Sequence, residues 1–550
     1  MKRIIYILTV LSGLYFASCN DKFLDKMPDN RTELKTPEQI TQLLVDGYST
    51  ANYAVLGELS SDNVVDNNAP DAVGNRYNVT PWNKIDDEIF AWDDAVSDNQ
   101  QDSPTDVWEG AYHAIAVANA ALEAIETLKS QGVDSTKLSA AKGEALLIRA
   151  YHHFILVNIF SMAYRNDALS AQDPGIPYIT KPETKVIEIA ERNSVTDVYR
   201  NIEKDLLEGL PLIDDTNYDI PKYHFNKQAA YAFAARFYLF KRNYDKVIEY
   251  ANLALGPNPA TLMRSWNVAY PTATAEMYGQ IDAKLNCNFM LIPTLSWLER
   301  VYSAGPRYTI NGDAANGTIF GKGPTWNNYN YHPCYSGRLY ISNQGQMLGV
   351  FFLAACGEIF EYTDKIAGIG YGHIVRTEFT AEETLLCRAE AYIFKNMLPN
   401  ALVDLKIWDD ARKDLPIPRT FLVLTDSLIQ TFYNPTRTLF VKQLNTEKMD
   451  PEWKIASDTT NRYLQCLLHF RRLETISSGM RWFDIKRFGI EITHKIGTTR
   501  VETLVWNDPR RALQLPVEVI AAGMDPNVRM ELPPDNSAIL SSTPCEIESN

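Results

Sequence analysis

The stretch KQAAYAFAARFYLFKRNYDKVIEYANLALGP, residues 227–257, decides the fold. Ala230, Ala234, Phe237 and Tyr238 recur at intervals of three and four, which places them on one face of a helix. Asn243 interrupts the pattern. Val247, Tyr250, Ala251 and Ala254 then mark a second helix, and Gly256 followed by Pro257 stops it. Small residues at the facing positions let two helices approach closely, so the segment is predicted to be an antiparallel helical hairpin.

Two further segments repeat the arrangement. One opens at Thr380, read with Glu383 as a capping box. It runs through Arg388-Ala389-Glu390-Ala391-Tyr392 to a partner helix that starts at Pro399 and Asn400 and carries Leu402, Leu405, Ile407 and Trp408. The other is split. Its first helix is 143–160, with Arg149-Ala150-Tyr151, its second is 195–210, and Asp173-Pro174-Gly175-Ile176-Pro177 lies between them. Single helices are expected at 37–50, capped by Thr36 and Gln39, and at 105–129. The shared arginine-small-aromatic cores resemble tetratricopeptide helices, so the fold class is mainly all-α, a tetratricopeptide-like helical-hairpin scaffold with long irregular loop insertions.

Those insertions are 62–103 and, above all, 258–379, where periodicity fails and Gly, Pro, Asn and aromatics take over. A loop region of such length in a compact protein is functional or disordered. Its aromatic content argues against disorder.

The N-terminus sets the compartment. Lys2 and Arg3 precede an apolar run from Ile4 to Phe16, too short for the roughly 20 residues of a membrane helix, and Ala17-Ser18-Cys19 follows as a processing site. Residues 1–18 are therefore expected to be a signal peptide, and Cys19 the acylated first residue of a lipoprotein. No Gly/Ser tract or charge block marks a linker, so 19–550 is read as a single domain: a helical repeat part over 19–257, the aromatic-rich region 258–379, and a helical part over 380–550. The net charge of −15 argues against nucleic acid and anionic lipid as main partners. The remaining cysteines, Cys287, Cys334, Cys356, Cys387, Cys466 and Cys545, are sparse and lack C-x-x-C spacing. Most are expected to be buried thiols, with Cys287–Cys334 the first pair to test for a disulfide.

Motifs of catalysis are missing: there is no G-x-S-x-G, no H-E-x-x-H and no Walker loop. His152 and His153 are expected to pack one inward and one outward on a helix. Acidic runs at Asp86-Asp87-Glu88 and Asp93-Asp94 are read first as solvated loops. Calcium binding, as a structural ion, and paired-carboxylate glycoside hydrolysis are the alternatives; no other cofactor is indicated. The informative cluster is aromatic. Tyr77 and Trp82 in the early insertion, and Trp266, Tyr302, Tyr308, Trp326, Tyr329 and Tyr331 in the later one, offer flat faces suited to sugar rings or peptide side chains, and they are the predicted ligand-binding residues.

A lipoprotein cysteine followed by Phe23-Leu24-Asp25, then tetratricopeptide-like helices, then Arg471-Arg472-Leu473-Glu474 and Gly479-Met480-Arg481-Trp482-Phe483-Asp484-Ile485-Lys486-Arg487-Phe488-Gly489, resembles the SusD/RagB family. Gly143-Glu144-Ala145, Gly175-Ile176-Pro177 and Leu515-Pro516-Val517-Glu518 extend the likeness along nearly the whole chain. Ser478 and Phe470 depart from the family's usual residues. Arg481 and Asp484 are expected to pair one turn apart while Trp482 and Phe483 turn inward, which makes this motif structural. The resemblance implies a non-enzymatic lipoprotein on the extracellular face of the outer membrane. It would hold an oligosaccharide or peptide for a SusC-like TonB-dependent barrel. A surface glycoside hydrolase and a scaffold that binds only protein partners are the competing readings.

Overall fold

The computed structural model describes residues 34–529 apart from 72–73, 98–99, 183–189, 267, 269–271, 304–306, 327–334, 342–346, 354–355, 414–421 and 436–443. Its main helices are α1 (Pro104–Ser130), α2 (Ser139–Phe160), α3 (Val195–Gly209), α4 (Lys227–Phe240), α5 (Tyr244–Leu255), α6 (Ala381–Phe394), α7 (Leu398–Lys413), α8 (Asp458–Glu474) and α9 (Met480–Phe488). The predicted hairpin is α4–α5. Asn226 and Asn243 cap its two helices by accepting from the N–H groups of Ala229 (3.0 Å) and Lys246 (3.3 Å). Arg242 turns the chain in the left-handed region at φ 60°.

The helices stack as neighbours: α2 lies between α1 and α3, while α6 touches α5, α7 and α8. In two of the three repeats an arginine explains the pairing. Arg149 on α2 bonds both carboxylate oxygens of Asp205 on α3 (2.6 and 2.7 Å), and Arg388 on α6 does the same to Asp404 on α7 (2.9 and 2.7 Å). A two-pronged bond of this kind fixes both distance and rotation between two helices. Gly143 on α2 faces Gly209 on α3 so closely that a Cβ at 143 would lie 3.0 Å from the Gly209 carbonyl oxygen.

Region 258–379 carries strands among its irregular segments. Three antiparallel strands, in the order β2 (Asn288–Thr294), β7 (Ile369–Thr380), β6 (Ile359–Asp364), form one sheet. A second joins β1 (Val65–Asp66), β3 (Tyr308–Asn311), β5 (Met347–Leu353) and β4 (Tyr335–Ile341) in that order, and β8 (Ile492–Ile496) pairs with β9 (Arg500–Leu504). β2 escapes a periodicity test because it is buried on both faces except at Pro293, so it reads as a continuous apolar run. The scaffold remains mainly helical.

Several local expectations change. Thr380 accepts from the Glu383 N–H (3.1 Å), but the Glu383 carboxylate turns to Arg236 (3.4 Å) and leaves the capping box half made. His152 and His153 are both buried. Each uses Nδ1 on the carbonyl four residues back (2.8 Å for both) and Nε2 on a backbone N–H, of Ser49 (3.2 Å) and Ile179 (3.0 Å). Burial pushes the two pKa values down to about 4 and about 3, which keeps the rings neutral. Arg481 pairs with Asp62 (2.8 and 3.1 Å) rather than Asp484, whose oxygens go to Arg471 (2.9 Å) and Arg487 (2.7 Å). Trp482 and Phe483 are buried as expected. Cys287, Cys356, Cys387 and Cys466 are buried free thiols, while Cys19, Cys334 and Cys545 lie outside the described residues.

Candidate functional site

One open aromatic site is a cleft of about 410 Å³ lined by Thr50, Gln101, Leu295, Trp297, Arg300, Glu358, Tyr371 and Gly372. β2 leads into it: the Leu295 N–H bonds the Thr50 carbonyl (2.7 Å), and the Trp297 N–H bonds the carboxylate of Asp102 (2.6 Å). Trp82 stands beside the cleft, its ring edge-to-face with Trp297 at 6.2 Å. The Arg300 guanidinium lies 6.0 Å from the Trp82 ring and bonds Glu358 at 2.5 Å. A side chain at Gly372 would collide with Glu358, a Cβ there falling 2.4 Å from Oε1, so glycine makes room for that carboxylate. Trp82 is 37% exposed and Tyr371 44%, high values for rings of their size. Flat faces bordered by an arginine–glutamate pair can stack on a ring and bond its edge hydroxyls.

A second cleft, of about 400 Å³, holds Tyr77 together with Asn67, Asp71, Asn311 and Asp313. Tyr77 and Trp82 belong to one loop, tied down by the two-way bonds of Asn68 with Val79 (2.7 Å each).

The other predicted rings lie elsewhere. Tyr308 is buried, stacked 4.4 Å from Phe90, and donates its hydroxyl to Asp87 (2.5 Å). Beyond Phe90 the stack continues through His494 (4.1 Å) to Trp92, whose ring lies 4.0 Å from the imidazole. Trp326 is buried against His469 and Phe470 and donates to the Gly321 carbonyl (2.8 Å). Trp266 is buried under Arg412 at 4.5 Å, and Tyr302 is fully buried. These four rings are core, because each is buried among neighbouring elements. Tyr329 and Tyr331 lie outside the described residues. Arg300 and Tyr371 join the site without having been predicted, whereas Trp297 belongs to the aromatic cluster that the sequence shows in 258–379. Trp297 shares the aromatic richness of its region, and Tyr371 sits on a strand whose exposed face alternates.

The acidic runs are engaged structurally. Asp86 completes a capping box with Asn83 (2.9 Å), and burial raises its pKa to about 7. Asp87 pairs with Arg307 (2.9 Å), Asp93 with Arg500 (2.7 Å) and Asp94 with Arg529 (2.7 Å), while Glu88 binds the Val96 N–H (2.9 Å). Among the described residues no three His, Cys, Asp or Glu side chains converge on a metal position, and no helix is long and apolar enough to cross a membrane.

The helical-hairpin scaffold thus carries an open, aromatic, polar-edged cleft. A family described as "Starch-binding associating with outer membrane", SusD-like, matches residues 22–239. A SusD superfamily protein of Bacteroides thetaiotaomicron shares the fold with 18% identity and a TM-score of 0.62, over 90% of this chain and 100% of its own. A SusD superfamily protein of Bacteroides vulgatus gives 18% and 0.59 over 90% and 99%, and a SusD-like carbohydrate binding protein of the same species gives 15% and 0.55 over 89% and 97%. No curated protein matches. Residues 22–239 match the SusD-like family model, and over nine-tenths of the chain the fold is similar to that of SusD superfamily proteins.

Proposed function

We propose that the protein binds carbohydrate without transforming it and passes it to a SusC-like TonB-dependent barrel, from a lipid anchor at Cys19 on the extracellular face of the outer membrane. The observation that carries the binding step is the Trp82–Trp297 pair beside an open cleft edged by Arg300, Glu358 and Tyr371. A sugar ring laid on Trp82 or Tyr371 would bring its hydroxyls to the arginine–glutamate pair. Tyr77, farther along the same loop, would meet a longer chain. The starch-binding description of the matching family and the printed name of one structural neighbour support carbohydrate over peptide. The engagement of every acid in the 86–94 runs, by a helix cap, by arginines or, for Glu88, by backbone N–H groups, supports binding over hydrolysis.

The test is calorimetry of neutral oligosaccharides against the parent and the Trp82→Ala variant. Weakening by about 1 to 3 kcal/mol is expected for a stacking hot spot, with the melting temperature unchanged. Equal affinity in both proteins would place the site elsewhere. Release of new reducing ends at an enzyme's rate would replace binding by hydrolysis.

A further inference from the structure

A third cavity, of about 300 Å³, lies between the C-terminal end of α2 and the segment 505–512. Its lining includes Arg165, Asp173, Asp450, Lys486, Trp506 and Arg511. Lys486 and Arg511 are 5% and 1% exposed. Every other buried arginine among the described residues has a carboxylate within 4.0 Å, but these two cations have none. The Lys486 ammonium donates to the carbonyls of Asn158, Ile159 (3.3 Å) and Ser161 (2.8 Å), three acceptors for its three N–H groups. Arg511 donates to the carbonyls of Val505 (2.7 Å), Ile485 (2.9 Å), Ile490 (2.6 Å) and Leu504 (3.1 Å).

Carbonyl dipoles satisfy the hydrogen bonds but supply no net negative charge. The remaining charges of the wall cancel, since Arg165 pairs with Asp173 (3.1 Å) and Asp450 with Arg242 (2.8 Å). The cavity wall therefore holds two buried basic groups with no carboxylate in contact, Arg511 sensing Asp508 and Glu491 only at longer range, inside a protein whose net charge is −15. A buried cation without a counter-ion is costly, and a ligand anion supplies one. Burial and the neighbouring Arg511 pull the Lys486 pKa down, and burial lowers that of Arg511 to about 10 against the opposite pull of Asp508 and Glu491.

Beside these cations stands Trp506, half-buried and seated against Gly489, where a Cβ would come within 2.9 Å of its own Cβ. Its indole N–H and the Asn507 amide make no hydrogen bond among the described residues, so both stand available as donors. The volume is at the small end of ligand pockets, about 300 to 1,000 Å³. We propose that this cavity binds one sugar residue bearing an anionic group, a carboxylate or a sulfate ester. The anion faces Lys486 and Arg511, and the ring lies against Trp506. Neutral sugar goes to the Trp82 cleft, and acidic sugar has a place of its own.

The experiment titrates the purified protein with glucuronate, glucose 6-sulfate, glucose and inorganic sulfate. Binding is followed by calorimetry and by the Trp506 indole N–H signal, assigned through Trp506→Phe. Both acidic sugars should shift that signal at concentrations at least tenfold below glucose. Trp506→Ala should weaken them about tenfold, and Trp82→Ala should leave them unchanged. Lys486→Met should abolish the preference for acidic sugar, and Arg165→Gln, which spares the helix-end contacts of Lys486, should reduce it if the methionine variant does not fold. Equal binding of glucose, indifference to Trp506→Ala, or inorganic sulfate binding as tightly as the sulfated sugar would each overturn the proposal. Loss of neutral carbohydrate binding in Trp82→Ala speaks only to the other cleft, so the two readings fail separately.

Discussion

Asp102 sits at the root of the Trp297 cleft in the left-handed region, at φ 64°, a conformation that Asp tolerates better than most residues. One carboxylate oxygen takes the Trp297 N–H, and the other has no hydrogen-bond partner. Burial raises its pKa to about 8, so at neutral pH the side chain is mainly a neutral acid. The sign of the linkage follows. Below about pH 4 both folded and unfolded chains carry the proton, and as pH rises the unfolded chain ionises first, so this group's contribution declines from about pH 4 until the folded pKa near 8 is passed. Asp102→Asn keeps an acceptor for Trp297 and cannot ionise. Denaturation midpoints measured from pH 4 to 9 should therefore fall less steeply in the variant, and its oligosaccharide affinity above pH 8 should hold where the parent's drops. Superimposable curves would show that Asp102 is not the group responsible.

At the scale of elements, the α4–α5 hairpin was legible because its packing is local: alternating small and large residues, an asparagine at each start and a glycine at the end all lie within 31 residues of sequence. What remained hidden depends on distant partners. Nothing near Arg481 indicates that Asp62 would outcompete Asp484, and nothing near Trp326 or Tyr308 distinguishes a ring that stacks on the core from one that waits for a sugar. Of the candidate site, Trp82 was legible as a large ring in a loop. Its partners Trp297 and Tyr371 come together only once β2 and β7 pair. The interhelical arginines give a direct test. Arg149→Ala strands a buried Asp205 and should destabilise by about 3 to 5 kcal/mol, whereas Arg149→Met with Asp205→Leu should recover most of that loss, because apolar isosteres avoid the desolvation cost. Urea titrations of the three proteins decide it. A single variant as stable as the parent would remove the bridge from the account of α2–α3 pairing.

For the whole molecule, the helix Ala54–Ser60 meets the start of α9 almost backbone to backbone. A Cβ at Gly57 would fall 2.4 Å from the Gly479 carbonyl oxygen, and Gly479 itself holds φ 78°. Around this contact the Gly479 N–H reaches Glu58 (3.0 Å), Arg472 reaches Asn63 (2.8 Å), Arg481 reaches Asp62 (2.8 Å), and His494 Nε2 reaches the Ser61 carbonyl (2.8 Å). These bonds join residues between 409 and 433 positions apart. Such a seam gives the chain a high contact order, which slows folding because distant segments must close before they are rewarded. During synthesis the early helix lacks this partner until residues 479–494 have emerged, about seven-eighths of the way along the chain, so this part of the native packing forms late. A fragment ending at residue 239, the span matched by the family, should accordingly show no cooperative thermal transition by circular dichroism, and a sharp melt in that fragment would refute the dependence. The two glycines thus act as a late clasp, setting when the protein becomes itself as well as what shape it takes.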